Sequence, residues 1–149
     1  MSPAEAAALI RPGSNVGMSG FTGSGHPKAV PLALAEIINA RHAAGEAFKV
    51  NIWSGASTAP ELDGALAKAD GIDVRLPYQS DPTCRQRINA GQMNYIDMHL
   101  SHVAQHAWFG FFGPLDYAVI EVTGINEDGS LIPSTAVGNN KTWLDLAQN

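Results

Sequence analysis

The sequence is poor in the features that mark several large classes of protein. It has one cysteine, Cys84, so no disulfide can form within the chain and nothing points to an oxidising compartment. It has no apolar run near the roughly 20 residues that cross a bilayer. Its first ten residues, MSPAEAAALI, lack the basic segment of a signal peptide. We therefore expect a cytoplasmic protein with no membrane partner.

Basic residues are also scarce. Lysine and arginine total 9 against 14 aspartate and glutamate, which gives a net charge of −5, and they form no run. Nucleic acids and anionic membrane surfaces are bound through a basic face, so neither is expected as a partner. The 149 residues suffice for one domain with a real core.

What the sequence does contain is an alternation of strand-like and helix-like segments. The predicted strands are 14–21, 48–55, 71–78 and 115–124, with a short extended piece at 131–134. The predicted helices are 3–10, 27–44, 57–69, 80–91 and 97–110, with a helical pattern again from residue 141. This order predicts an α/β domain with an open, mostly parallel sheet flanked by helices. Ligands bind such sheets beyond the carboxyl ends of the strands.

The first predicted strand runs into a glycine-rich loop. Gly20, Gly23 and Gly25 are spaced G-x-x-G-x-G, which is not the dinucleotide-binding order, and no Walker spacing is present. One interpretation is a tight strand-to-helix turn in which glycine supplies a positive φ. The other is close backbone approach to an anionic ligand, such as a carboxylate, at the amino end of the following helix. The loop alone leaves both open.

Four blocks of the chain carry a wider resemblance. They are SGFTGSGHPKAVPLALAE, SGASTAPELDGALAKADGI, LPYQSDPTCRQRINAGQMNYIDMHLSHVAQ and EDGSLIPSTAVGNNKTWLDLA. In this order they resemble the acetyl-CoA hydrolase/transferase family of class I coenzyme A transferases, which includes succinyl-CoA:acetate CoA-transferases. The blocks span nearly the whole chain. The resemblance implies a NagB/RpiA-like CoA-transferase domain at residues 1–149.

The same resemblance implies a ping-pong reaction between two related α/β domains. A glutamate attacks the thioester carbonyl of a CoA substrate, and the acyl-glutamyl anhydride then yields a glutamyl-CoA thioester. The substrates are a short acyl-CoA and a small carboxylate, with no tightly bound cofactor and no metal. In the family the glutamate belongs to the second domain, and we expect this chain to cover only the first. We therefore expect the chain alone to be inactive, and the whole protein to form a homo-oligomer.

Several site residues follow from the resemblance. Ser80 lies where the family has a threonine close to the reacting acyl group; it can equally be the N-cap of the next helix. The residues expected to face the carboxylate substrate are Gly20, Phe21, Thr22, Gly23 and Gly25. A second polar wall is expected at Val137, Gly138, Asn139 and Asn140, although the two asparagines can also be loop caps.

Other residues invite a functional interpretation with a structural alternative. His99, His102 and His106 share one helical face at metal-like spacing, or form an exposed or inter-domain face. Cys84, near two arginines, is either a reactive thiol or a buried apolar residue.

Further candidates lie in the aromatic and acidic residues. The aromatic cluster Trp108, Phe109, Phe111 and Phe112 is expected to be part core and part apolar patch covered by another domain or subunit. Glu121 is expected near the site without being the nucleophile. Glu36 and Glu61 are expected on solvated helices.

Three functions remain possible from the sequence. The first is the N-terminal domain of an acetyl-CoA hydrolase or acyl-CoA:carboxylate CoA-transferase. The second is a 4-hydroxybutyrate or butyrate CoA-transferase of the same family. The third, from a different class, is a stand-alone, non-catalytic domain that binds a carboxylate or a partner subunit.

Overall fold

The central sheet has five strands, all parallel. The computed structural model describes the backbone of all 149 residues and every side chain except that of Ser57. The strands are β1 (Asn15–Gly17), β3 (Val50–Trp53), β5 (Ile72–Leu76), β6 (Asn94–Tyr95) and β7 (Tyr117–Ala118), in the spatial order β6-β5-β3-β1-β7. Val16 lies in register with Ile52 of β3 and Tyr117 of β7. The predicted open parallel sheet is confirmed.

Two small sheets accompany the central one. Strands β2 (Phe21–Thr22) and β4 (Ala56–Ser57) pair in parallel, whereas β8 (Val122–Ile125) and β9 (Leu131–Pro133) form an antiparallel hairpin. The single strand predicted at 115–124 is therefore wrong. The last backbone hydrogen bond from this segment to β1 runs from Val119 to Gly17, and Val122 pairs with Pro133 instead.

Helices occupy both faces of the sheet. They are α1 (Pro3–Ala7), α2 (Ala29–Ala43), α3 (Ala65–Lys68) after a π-helical turn (Pro60–Gly64), α4 (Pro82–Asn89), α5 (Leu100–Trp108) and α6 (Asn140–Leu146). Ser2 and Glu5 form a capping box that starts α1. Asp81 is the N-cap of α4, because its carboxylate accepts from the Thr83 and Cys84 amides. The N-cap interpretation of Ser80 is therefore wrong.

The core lies on the two faces of the sheet, and β3 illustrates why. Side chains alternate along a strand, so Ile52 packs with the first four helices while Trp53 faces α5 and α6. Trp53 meets Trp143 of α6 edge-on, with ring centroids 6.0 Å apart. A Cβ on Gly17 would lie 2.7 Å from Trp143 Cγ, so this close approach requires glycine. Among the described residues, no helix combines the length and apolar character needed to span a bilayer.

Candidate active site

Three loops meet at the carboxyl edge of the central sheet, as parallel strand order requires. The glycine loop follows β1, the segment containing Thr58 follows β3, and the segment containing Ser80 follows β5. The Thr58 amide donates to the Thr22 carbonyl at 3.2 Å. The Ser80 hydroxyl donates to Thr58 Oγ1 at 2.9 Å, and Ser80 is exposed. We call Thr58 and Ser80 the hydroxyl pair.

The tip of the glycine loop is open. Phe21, Thr22 and Gly23 are exposed, with Phe21 at 58%. A Cβ built on Gly23 would meet no atom within 4 Å, and the φ of Gly23 lies outside the left-handed region. Thr22, in contrast, has φ 51°, a conformation that a β-branched residue seldom adopts. The open space at Gly23 fits the interpretation in which a ligand approaches the backbone.

The base of the same loop is close-packed. Gly25 has φ +68°, and a Cβ there would lie 2.5 Å from the Ala136 carbonyl oxygen. At Gly20 a Cβ would lie 2.4 Å from the Ser24 carbonyl oxygen. The tight-turn interpretation, in which glycine supplies a positive φ, therefore accounts for Gly25. At Gly20 close packing rather than a positive φ requires glycine, and both residues are buried away from the open tip.

Residues 134–140 close against the glycine loop. Gly138, with φ +49°, leaves room for Ser19, whose Oγ would lie 2.3 Å from a Cβ at that position. Ser19 Oγ accepts from the Asn139 amide at 2.9 Å, and the Asn139 side chain donates to the Ser54 carbonyl at 3.3 Å. Asn139 therefore joins two of the loops. Val137 is 50% exposed and forms the open part of this segment.

Asn140 occupies a different position from its neighbour. It is 3% exposed at the start of α6, and its amide oxygen and nitrogen make no hydrogen bond to any described residue. The expected polar wall is thus not uniform: Val137 and Gly138 are exposed, Asn139 is half-buried and Asn140 is buried.

Glu121 lies beside the glycine loop but is already engaged. Its carboxylate pairs with Lys28 and accepts from the Ser134 hydroxyl at 2.8 Å. The Lys28 hydrogen bond, helped by Ser134, lowers the pKa of Glu121 below its ordinary value of 4.5. Lys28 also donates to the His26 carbonyl at 3.1 Å. These contacts tie the start of α2 to the turn before β8.

Two polar residues of this edge are missing from the sequence-based site. Thr58 carries the acceptor for Ser80, and its position three residues past a predicted strand end was the available signal. His26 is 2% exposed, with Nε2 at 3.6 Å from Glu61 Oε2, and its ring nitrogens make no hydrogen bond to a described residue. Its position inside the glycine motif was the only signal for it.

The other candidates resolve as structure or surface. The rings of His99, His102 and His106 succeed one another along α5, with centroids 5.4 and 6.1 Å apart. Within the described residues, no three His, Cys, Asp or Glu side chains are arranged to hold a metal ion. Cys84 is fully buried, and burial raises the pKa of its thiol, with the charge of Asp63 acting in the same direction.

The aromatic cluster divides as predicted. Phe112 is half-buried and packs edge-on against Trp53, with ring centroids 5.4 Å apart. Trp108, Phe109 and Phe111 are between 54% and 69% exposed. The cluster is thus partly core and partly an apolar surface.

The comparison with known proteins shows the family of the chain. The profile of the family described as "Acetyl-CoA hydrolase/transferase N-terminal domain" matches residues 1–149. The chain belongs to this family. The sequence-based recognition of the acetyl-CoA hydrolase/transferase family is therefore confirmed.

Relatives in the family carry related names. The chain is 45% identical over 142 residues to a succinyl-CoA:acetate CoA-transferase of Clostridium kluyveri, with 95% of the chain covered. It is 40% identical over 144 residues to a propanoyl-CoA:succinate CoA transferase of Escherichia coli, with 97% covered. It is 36% identical over 146 residues to an acetyl-CoA hydrolase of Saccharomyces cerevisiae, with 93% covered.

The matches also define how much of each relative the chain represents. It spans 26%, 29% and 27% of these three proteins. The crystal structure of RipA from Yersinia pestis has the same fold, with a TM-score of 0.60 at 19% identity over 88% of this chain and 30% of RipA. The chain therefore corresponds to the N-terminal domain of much longer family members.

Proposed function

We propose that this chain forms one side of the active site of an acyl-CoA:carboxylate CoA-transferase or acetyl-CoA hydrolase. The substrates would be a short acyl-CoA thioester and a small carboxylate. The observation that carries the proposal is the hydroxyl pair, half-buried Thr58 and exposed Ser80, at the same carboxyl edge of the sheet as the open backbone of Gly23. The names of the relatives, which include acetate, succinate and acetyl-CoA, support the same substrate class.

The hydroxyl pair suits the charge that develops in acyl transfer. Attack on a thioester carbonyl produces a tetrahedral oxyanion, and fixed donors aimed at that oxygen lower the barrier. Because Ser80 donates to Thr58, the Thr58 proton is available for a ligand oxygen. A donor that itself accepts a hydrogen bond is polarised and becomes a stronger donor. The pair would therefore hold the carboxylate or the oxyanion without becoming acylated.

The nucleophile would come from a second domain. The family resemblance implies a glutamate for that role, and a carboxylate must be free to attack. Glu121 is held by Lys28 and Ser134, which argues against it as the nucleophile. The exposed side chains of Trp108, Phe109 and Phe111 support a surface that a second domain or another subunit covers in the assembled protein.

Replacing the serine hydroxyl tests the proposal. In the complete enzyme, Ser80→Ala should lower kcat/KM for transfer of CoA from acetyl-CoA to succinate. The loss of transition-state stabilisation should be roughly 1.5–3 kcal/mol, the value of one hydrogen bond to a charged group. Ser80→Thr should be nearly neutral, because it keeps the hydroxyl. Ser130→Ala is the matched control, since that exposed serine lies in the β8–β9 turn.

The outcomes separate the candidate functions. Unchanged kinetics in Ser80→Ala would contradict the role of the hydroxyl pair, and an acyl group found covalently on Ser80 would contradict the assisting role. An assembled protein that binds a carboxylate but transfers and hydrolyses no thioester would instead be a binding protein. Faster turnover with butyrate or 4-hydroxybutyrate than with succinate or acetate would change only the assigned acid.

A further inference from the structure

We propose that Asp63 is the positioning residue of the hydroxyl pair: it fixes Thr58 and Ser80 at one separation by holding the residue next to each. The inference rests on the proposed function, because it assigns the support for the two hydroxyls that the reaction would use. Asp63 lies in the π-helical turn Pro60–Gly64, behind the open edge of the sheet, and is fully buried.

The carboxylate of Asp63 reaches both loops at once. Its Oδ2 accepts from the Ala59 amide at 3.1 Å, and Ala59 directly follows Thr58. Its Oδ1 accepts from the Gln79 side-chain amide at 3.1 Å, and Gln79 directly precedes Ser80. One buried side chain thus connects the loop after β3 to the loop after β5.

Ser80 is held on both sides by this arrangement. Gln79 is 9% exposed, and while its amide nitrogen donates to Asp63, its amide oxygen accepts from the Asp81 backbone. Asp81 in turn caps α4 through the Thr83 and Cys84 amides. Ser80 is therefore an exposed residue between two anchored neighbours, which limits where its hydroxyl can point.

Arg75 keeps the Asp63 carboxylate in one orientation. Arg75 Nε donates to Asp63 Oδ1 at 2.8 Å, and neither side chain is exposed to solvent. Such a pair is a weak device for stability, because desolvation of two charges offsets much of their attraction and an apolar pair often does as well. An apolar pair could not accept from Ala59 and Gln79. The Asp63–Arg75 pair therefore fixes the positions of Ala59 and Gln79 through hydrogen bonds, which packing of apolar side chains could not do.

Geometry of this kind affects rate more than affinity. A displacement of about 1 Å in a positioning group can reduce the rate about a hundredfold. The hydroxyl pair is 2.9 Å apart, so a shift of either loop would break the bond that polarises Thr58. Loss of Asp63 should therefore lower kcat and leave KM for the acyl-CoA nearly unchanged.

The test compares variants in the complete enzyme. Asp63→Asn should lower kcat about tenfold or more with KM for acetyl-CoA changed less than about twofold. Gln79→Ala is the second variant; it leaves the Asp63–Arg75 pair intact and should lower kcat about three- to tenfold. The matched control is Asp116→Asn, which removes a carboxylate that accepts from the Asn15 amide at 2.8 Å near the amino ends of β1 and β7. Asp116→Asn should leave kcat within about twofold of the wild-type value, even if it lowers the melting temperature as much as Asp63→Asn does.

Coupling to the hydroxyl pair distinguishes positioning from a general structural role. In a Thr58→Ala/Ser80→Ala background, Asp63→Asn and Gln79→Ala should cause less than about twofold further loss, because the groups they position are gone. Full additivity in that background would overturn the proposal. So would unchanged kcat in Gln79→Ala, or an equal loss in Asp116→Asn.

The same data separate this proposal from the proposed function. If Ser80→Ala is impaired but Gln79→Ala is not, the site stands and the positioning role of Asp63 fails. If the wild type neither transfers CoA nor hydrolyses the thioester, the proposed function fails. If Ser80→Ala matches the wild type, the role of the hydroxyl pair fails. In either case the positioning role of Asp63 fails with it.

Discussion

At the residue scale, glycines of the same motif have different roles. Gly25 and Gly23 are two positions apart, yet the first faces the Ala136 backbone and the second faces open space. Only Gly25 also has a positive φ. A substitution at each position should therefore change a different property: the stability of the fold at Gly25 and access to the site at Gly23.

Gly25→Ala should destabilise the domain more than its backbone conformation alone requires. A Cβ at positive φ costs roughly 1–2 kcal/mol, and overlap with a backbone adds about 1–3 kcal/mol. Gly91→Ala is the matched control, because Gly91 also has φ +68° but a Cβ there meets nothing within 4 Å. Urea unfolding should give the larger loss at Gly25. An equal loss in the free energy of unfolding at the two positions would mean that the backbone at Ala136 moves to accommodate the Cβ at little cost.

Gly23→Val should leave the fold intact and impair turnover. Neither strain nor overlap opposes the side chain, since the φ of Gly23 is ordinary and its surroundings are open. Strain from a positive φ, the alternative reason for intolerance at this position, does not apply. The isopropyl group would occupy the space assigned to the carboxylate substrate. Steady-state kinetics in the complete enzyme should show a loss of kcat/KM at unchanged melting temperature, and wild-type kinetics would contradict this role of the loop.

At the scale of elements, the sequence predicted the alternation of strands and helices, but not where a strand leaves the sheet or which buried side chains pair. The alternation of segments predicted the parallel sheet. In a parallel sheet the loops after neighbouring strands lie at one edge, and Ser80 and the glycine loop are both in such loops. The strand predicted at 115–124 failed because apolar character cannot distinguish a continuing strand from one that leaves the sheet at Val119 and enters a hairpin. The pairing of Asp63 with Arg75 was out of reach, since it depends on how the π-helical turn packs against β5.

The ion pair between Lys28 and Glu121 joins two elements, and its effect should depend on pH. The pKa of Glu121 is lowered in the folded state, so its contribution to stability is present above the ordinary value of 4.5 and is lost as the pH falls through the folded-state pKa. Glu121→Gln should thus reduce the free energy of unfolding at neutral pH, and the difference from wild type should shrink in acid. The pair is partly exposed, so a loss below about 1 kcal/mol is expected.

Urea unfolding at neutral and acidic pH would measure this difference. Glu36→Gln, a change at an exposed glutamate of α2, is the matched control for the removal of one carboxylate. A Glu121→Gln protein whose stability deficit grows in acid would contradict the sign. The ion pair would then not be what anchors the start of α2 to the turn before β8.

At the scale of the whole molecule, the chain should fold and yet catalyse no transfer by itself. It has two covered sheet faces and a connected polar edge, so a cooperative fold is expected from residues 1–149. Its hydroxyl pair orients and donates, but orientation without a nucleophile leaves only a small part of the rate enhancement. The purified chain, incubated with acetyl-CoA and succinate, should release neither succinyl-CoA nor free CoA above background, while the complete enzyme does both under the same conditions. Turnover of about 1 s⁻¹ or more by the isolated chain would be an enzymatic rate. It would mean that a carboxylate within these residues attacks the thioester, and Glu121→Gln would then be the first variant to test, since Glu121 is the carboxylate that the structure places beside the glycine loop.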